Sequence, residues 1–147
     1  MEEIYRLANQ FRNAIDEAQV AGEFINDTIF SGFPTGCCGF ASDLLAEFLR
    51  EKGIETYDVS GQYGSGWDAQ SHAWLLLMAD QKTIIDITGD QFRDKPELLY
   101  YNKSVYVGAV DAFHRLFIIN YCDMHKIGDG MQRRMDDLYR RIVKYIR

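Results

Sequence analysis

The sequence contains little cysteine or proline, and it lacks any long apolar run. Its 147 residues include three cysteines and two prolines. Two of the cysteines are adjacent, at Cys37 and Cys38, so the set is too small and too unevenly spaced for a disulfide framework. The longest apolar runs have the length of a β-strand, which excludes a transmembrane helix. Residues 1–19 are charged and periodic, unlike a secretory signal peptide. These absences predict a cytosolic, thiol-containing protein.

Basic residues are also in the minority. Sixteen Lys and Arg face 22 Asp and Glu, which gives a formal net charge of -6. This balance argues against nucleic acid or an anionic membrane as a partner. The chain is 47% hydrophobic and 26% charged, as is typical of a globular protein, and its length suits one domain. We therefore expect residues 1–147 to form a single domain.

The hydrophobic period is helical in three segments. Residues 2–20 carry apolar side chains three or four positions apart, which predicts an amphipathic helix. A similar stripe over residues 37–52 predicts a second helix, which Gly53 would end. The segment between them, residues 21–36, is predicted to be an apolar connection that packs on the core. A terminal amphipathic helix is predicted from an apolar stripe at Met131, Met135, Leu138, Ile142 and Ile146.

The middle of the chain has the composition of β-strands. Residues 72–78 (HAWLLLM) predict a central strand buried on both faces, and residues 83–88 (TIIDIT) predict its hairpin partner. Further strands are predicted at residues 54–61 and 104–108, a flexible loop at 62–70, and either a helix or a buried strand at 111–120. The order of these elements predicts an α+β domain with a mostly antiparallel sheet and extra helices at both ends.

A cysteine in the first turn of a helix is chemically distinctive. The free backbone N–H groups and the positive end of the helix dipole stabilise a thiolate, and they can also stabilise an oxyanion on a carbonyl that the sulfur attacks. Cys37 and Cys38 both occupy this position, near the apolar stripe of the helix. Helical geometry alone therefore does not choose between them.

A thiolate nucleophile usually needs a histidine, which in turn needs a third group to orient it. His72 opens the predicted central strand, and Asp86 follows in the next strand. If the turn between the strands is centred on Ala79, the two residues are directly opposed on one face of the sheet. An aspartate flanked by isoleucines also needs a partner to be buried at acceptable cost. The spacing predicts a His72–Asp86 pair.

The run GCCGFASDLLAEFLREKGIETYDVSGQY (36–63) and the later HAW…IIDIT resemble transglutaminase-like proteins of the papain-like cysteine enzyme superfamily. The resemblance places Cys38 on the nucleophile, His72 on the histidine and Asp86 on the aspartate of a catalytic triad. It implies a papain-like fold in which the nucleophile helix packs on the sheet. It also implies action on an amide bond of a protein or peptide by hydrolysis, glutamine deamidation or transamidation. Ile87 departs from the pattern, since proline is common there.

Other polar residues are weaker candidates. Gln62 and Gln70 could donate to an oxyanion, Trp67 could form a wall of the substrate cleft, and Gln91 could orient a site residue. His114 and His125 have no carboxylate partner in the pattern, and Cys122 is expected to be a free thiol. No metal or cofactor is predicted, because the CC spacing suits tetrahedral chelation poorly. Two alternatives stay open: a non-catalytic binding or inhibitory module on the same scaffold, and a thiol acyltransferase.

Overall fold

Helices form at both ends of the chain and ahead of the sheet. The computed structural model describes residues 1–126 and 132–147. Its helices are α1 (Glu2–Val20), α2 (Cys38–Glu51), the single turn α3 (Ala112–Arg115) and α4 (Gln132–Val143). The apolar stripes of α1, α2 and α4 are buried, as their periods predicted. Gly53, at φ +81°, follows the end of α2 in the left-handed conformation that favours glycine. Met131, predicted to lie in the terminal helix, is outside the described residues.

The sheet has five antiparallel strands. They are β1 (Thr56–Tyr63), β2 (Gln70–Leu77), β3 (Ile84–Asp86), β4 (Tyr106–Gly108) and β5 (Ile118–Met124), in the spatial order β4-β3-β2-β1-β5. The prediction of an α+β fold with an antiparallel sheet is confirmed. In the part of the chain that the structure describes, no helix has the length and apolarity needed to cross a membrane.

Each face of the sheet carries its own apolar cluster. On one face, Leu75 and Ile85 pack among side chains of α1, α2 and α4. On the other face, Trp74 and Ile84 lie under the aromatic side chains of the segment 92–117, which include Phe92, Phe113 and Phe117. Both clusters reach β2 and β3, so these short strands are held from two sides.

Several segments differ from their prediction. The segment 111–120 contains both the turn of α3 and the start of β5, so neither alternative alone is right. Gln62 and Gln70 were predicted to lie in a flexible loop. Instead, Gln62 lies in β1 opposite Ser71, and Gln70 lies in β2 opposite Tyr63. β5 is an edge strand whose seven residues are all exposed, so it lacks the alternating pattern by which a half-buried strand is recognised.

The register between β2 and β3 also differs from the prediction. Leu75 pairs with Ile85, so continuing the ladder sets Asp86 across from Trp74 and not from His72. The turn is centred on Asp80, whose carboxylate accepts from the backbone N–H groups of Lys82 and Thr83. His72 and Asp86 are therefore diagonal neighbours on the same face, a separation that long side chains can span.

A buried arginine fixes the segment that follows β3. The Arg12 guanidinium donates to both carboxylate oxygens of Asp90 at 2.9 Å, and to the backbone carbonyl of Ile87 at 2.7 Å. Bidentate charge-assisted bonds of this kind are stronger and more directional than neutral ones. Helix α1 thus anchors the chain that immediately follows Asp86.

Candidate active site

The two adjacent cysteines have different surroundings. Gly36, at φ +78°, turns the chain into α2, which begins at Cys38 with Cys37 as its N-cap residue. Cys37 is 1% exposed and belongs to the core, whereas Cys38 is only half-buried. Burial and the neighbouring Cys38 raise the pKa of the Cys37 thiol to about 12. Cys37 is therefore a packing residue that stays protonated.

The thiol of Cys38 ionises more readily than an ordinary cysteine. Burial alone would oppose the charge, but hydrogen bonding and the charge of His72, with the backbone N–H of Ala73, lower its pKa. Ala73 can reach the sulfur because β2 pairs with β3 only at Leu75 and Leu76, so the edge of β2 is free at this point. Structure and sequence pattern thus bring Cys38, not Cys37, to His72.

His72 is held between Cys38 and Asp86. Its Nε2 lies 2.7 Å from Oδ2 of Asp86, which leaves Nδ1 as the nitrogen available to the thiol. Burial alone would lower the pKa of the imidazole, yet Asp86 and Cys38 raise it to about 9. The lowered thiol pKa and the raised imidazole pKa both favour the thiolate–imidazolium pair over the neutral pair.

Asp86 is fully buried and fully hydrogen-bonded. Its Oδ1 accepts from the backbone N–H of Thr88 at 2.9 Å, while Oδ2 contacts His72 and also Nε2 of His114, each at 2.7 Å. Burial would raise the pKa of this carboxyl, but the two imidazoles hold it well below its usual value. The carboxylate is therefore a fixed anion that orients His72.

The weaker polar candidates separate into two groups. Gln91 reaches the site: its Nε2 lies 3.3 Å from Nδ1 of His72 and donates to the backbone carbonyl of Thr88 at 3.0 Å. Gln62 and Gln70 do not, since their amides donate to the nearby carbonyls of Gly64 and Asp68. Trp67 is 98% exposed and forms no wall of a cleft.

Sequence reasoning missed His114, for which no carboxylate partner was expected. Besides its contact with Asp86, the ring places Nδ1 2.7 Å from Oδ1 of Asp111. Asp111 lies three residues before His114 and caps the one-turn helix α3. That spacing could have indicated the Asp111 contact, but Asp86 is 28 residues away and only the fold brings it near.

Sequence reasoning also missed a cluster around His125. Here Nε2 lies 2.7 Å from Glu47, while Nδ1 lies 3.0 Å from Asp58 and 3.6 Å from Asp43. Burial and the nearby carboxylate of Asp58 raise the pKa of Asp43 to about 7. Burial opposes the charge on His125, but Asp58 and Glu47 raise its pKa.

Both histidine clusters have the ligand types that bind metals. In each of the sets His72–Asp86–His114 and Asp43–Asp58–His125, the nitrogen and oxygen atoms lie within 4.8 Å of one another. The imidazoles of both sets already form hydrogen bonds to the carboxylates. These bonds account for the arrangement of the side chains without an ion.

A groove of about 280 Å³ lies beside the start of α2. It is lined on one side by Gly39, Ser42 and Ala73, close to Cys38, and on the other by strands β1 and β5. A Cβ at Gly39 would meet nothing within 4 Å, so the space in front of this first turn is open. The groove is large enough for an amino-acid side chain.

The chain was compared with known family models, curated proteins and solved structures, and it matches none of them.

Proposed function

We propose that this protein is a cysteine-dependent enzyme that acts on an amide bond of a protein or peptide. The observation that carries the proposal is the contact of Cys38 with His72, which lowers the pKa of the thiol against the effect of burial. His72 is itself held by Asp86 at 2.7 Å. A low-pKa thiol at a helix N-terminus, next to an oriented imidazole, has the arrangement of an activated nucleophile.

The first half of the reaction forms a thioester. The Cys38 thiolate attacks the substrate carbonyl carbon, and the C=O electron pair moves onto oxygen. The imidazolium of His72 then donates its proton to the leaving nitrogen as the C–N bond breaks, which releases an amine, or ammonia from a glutamine side chain. Asp86 keeps the ring in the orientation that this transfer needs.

The second half returns the enzyme to its starting form. His72, now neutral, removes a proton from water, whose oxygen attacks the thioester carbon. The C–S bond breaks, the product carboxylic acid leaves, and the proton on His72 pairs again with the thiolate. An amine in place of water would give transamidation. We favour hydrolysis or glutamine deamidation of a protein or peptide substrate.

Backbone N–H groups at the start of α2 supply the donors for the oxyanion. Among the described residues, no side chain caps this helix, so the N–H groups of its first turn are available. They lie beside the open groove at Gly39, where a substrate carbonyl would enter. Gln91 lies 3.3 Å from Nδ1 of His72, where its amide can donate to the ring in the neutral form that follows proton transfer.

We also infer that the fold is a transglutaminase-like variant of the papain-like architecture. This inference is supported by the order of the triad along the chain, with Cys38 at the start of a helix and His72 and Asp86 on neighbouring antiparallel strands. The three cysteines, all within the described ranges, are free thiols, which suits a reducing compartment such as the cytoplasm.

The proposal is tested by measuring how fast iodoacetamide alkylates Cys38 at pH 7, followed by peptide mass spectrometry. We expect His72→Ala to slow alkylation by about 100-fold, because burial then opposes the thiolate without an imidazolium to offset it. Cys37→Ala is the matched control and should leave the rate unchanged. Equal rates in the wild type and His72→Ala would contradict the proposal.

The activity itself is tested with denatured casein as a general substrate. Release of ammonia or of new amino termini that is lost in Cys38→Ala would support amide-bond chemistry. A product formed equally by Cys38→Ala would exclude this thiol as the nucleophile.

A further inference from the structure

His114 is a second buried histidine on the carboxylate of Asp86. Its side chain is 0% exposed, and its ring lies under Tyr101 and Tyr106, with ring centroids 5.8 and 5.4 Å away. The triad aspartate therefore contacts two imidazoles through one oxygen, each at 2.7 Å.

Both carboxylate oxygens of Asp111 accept hydrogen bonds, so Asp111 is also an acceptor toward the His114 ring. Oδ2 of Asp111 accepts from the Tyr101 hydroxyl at 3.2 Å, and Oδ1 accepts from the backbone N–H of His114 at 2.8 Å. Oδ1 also lies 2.7 Å from Nδ1 of His114. An acceptor at this distance requires a proton on the nitrogen.

The same argument applies at the other nitrogen of the ring. Asp86 is a buried carboxylate that accepts from every neighbour, so Nε2 of His114 must also carry a proton. An imidazole with both nitrogens protonated is a cation. Asp111, Asp86 and the two imidazoles thus form a chain of alternating charge from Tyr101 to Cys38.

We propose that His114 is a positioning residue, a second imidazolium that shares Asp86 with His72 and limits how strongly His72 holds its proton. The role rests on the proposed function, because it matters to a reaction in which His72 must give that proton to a leaving group. His114 also donates to the same oxygen of Asp86 as His72, so this oxygen is held by two fixed side chains.

The distance between the two rings determines whether His114 helps or hinders the protonation of His72. The centroids of His72 and His114 are 6.2 Å apart, so two positive charges in this buried site repel each other. The titratable groups that face His114 are Asp86, Asp111, His72, Tyr101 and Tyr106, while Arg115, next in α3, is exposed. Removing the charge on His114 leaves Asp86 to stabilise His72 alone.

The test follows the titration of His72 by NMR in the full chain, through the chemical shift of its ring C–H. In His114→Gln we expect the midpoint to move upward by about one pH unit or more, since the amide keeps a donor but has no charge. Asp111→Asn should move it in the same direction, because the amide keeps the cap and the acceptor but removes the negative charge that stabilises the cationic form of His114. His125→Gln is the matched control and should leave the midpoint in place.

The direction of the shift separates the proposed role from a structural one. If His114 only supported the fold, its loss would loosen the His72–Asp86 contact and lower the midpoint. A midpoint that falls or stays fixed in both variants would overturn the proposal. Should His114→Gln fail to fold, Asp111→Asn still decides, because it keeps the imidazole.

A second measurement counts the protons directly. Nitrogen-15 NMR of the wild type at pH 7 should show two ring N–H signals from His114. A single ring N–H in the wild type would refute the charged form. Both measurements read His72 and His114 themselves, so their failure is distinct from a failure of the Cys38 alkylation test.

Discussion

The two histidine clusters differ in how many imidazoles and how many carboxylates meet at one point. In the triad cluster, two imidazoles, His72 and His114, meet on the carboxylate of Asp86. In the second cluster, defined by Asp43, Glu47, Asp58 and His125, a single imidazole faces three carboxylates. The first is fully buried beside a thiol, whereas the carboxylates of the second are partly exposed, and Asp43 and Asp58 line an open groove.

The proportion of cations to anions decides how each carboxyl ionises. Asp86 has two imidazole neighbours, and its pKa is held well below the usual value despite complete burial. Asp43 lies nearer to other carboxylates, and burial with that repulsion raises its pKa to about 7. Two imidazoles on one carboxylate therefore keep Asp86 ionised, whereas the carboxylates around a single imidazole leave Asp43 to take up a proton near neutral pH.

The largest expected effect distinguishes the clusters by reactivity. Asp86→Asn should slow the alkylation of Cys38 at pH 7 by about 100-fold, because burial alone lowers the pKa of His72 and the ion pair with the thiolate is lost. Asp58→Asn should change the rate by less than about twofold. Mass spectrometry of the Cys38 peptide measures both rates. A comparable loss in Asp58→Asn would mean that the clusters act as one unit.

A smaller effect is expected on the pH dependence of stability. The raised pKa of Asp43 means that the folded chain binds a proton that the unfolded chain releases near pH 4. Wild-type stability should therefore fall as pH rises from about 4 through 7, and the Asp43→Asn variant has no such loss because its amide does not titrate. From pH 5 to pH 8, Asp43→Asn should gain about 1–2 kcal/mol relative to the wild type, allowing for partial exposure of the carboxyl.

Urea unfolding at the two pH values measures this difference in the free energy of unfolding. Asp94→Asn, a change at an exposed aspartate, is the matched control. The raised pKa of His125 acts with the same sign, since its contribution is present below its unfolded pKa and is lost as pH rises through the folded one. A flat difference between pH 5 and pH 8 would show that Asp43 ionises normally.

The smallest effect concerns Gln91. Its amide Nε2 lies 3.3 Å from Nδ1 of His72 and can donate only to the neutral ring, a hydrogen bond that contributes about 0.5–1.5 kcal/mol to that form. Gln91→Ala should therefore favour the imidazolium and speed Cys38 alkylation by about 2- to 10-fold. Gln70→Ala provides the comparison, since that amide donates to a loop carbonyl away from the site. A slower rate in Gln91→Ala, or a larger change in Gln70→Ala, would contradict this role for Gln91.

The elements with a buried stripe were the ones that the sequence could predict. Helices α1 and α2 and strand β2 each place apolar side chains at regular intervals against the core. Strand β5 was missed because an exposed edge strand needs no such interval. The offset between His72 and Asp86 was missed because the carboxylate of Asp80 centres the turn one residue later than expected.

The site was predictable only where local chemistry marks a residue. Cys38 is marked by the start of a helix, and His72 and Asp86 by an even spacing within a hairpin, which preserves the shared face despite the shifted register. His125 carries no comparable mark, because its partners are distant in the chain, and His114 is marked only by Asp111 and not by its contact with Asp86. His125 lies 67 residues from Asp58 and 78 from Glu47.

The sequence by itself determined that the chain has only a few cysteines, which do not form a disulfide framework, and that one of them opens an amphipathic helix. It also determined that a histidine and an aspartate share a face of the sheet. These properties follow from residue type and short spacing. Only the tertiary structure decided that Cys37 faces the core while Cys38 faces His72, and that Asp86 serves two imidazoles. Ionisation depends on burial and on charges within a few ångströms, and the packing of distant segments sets both.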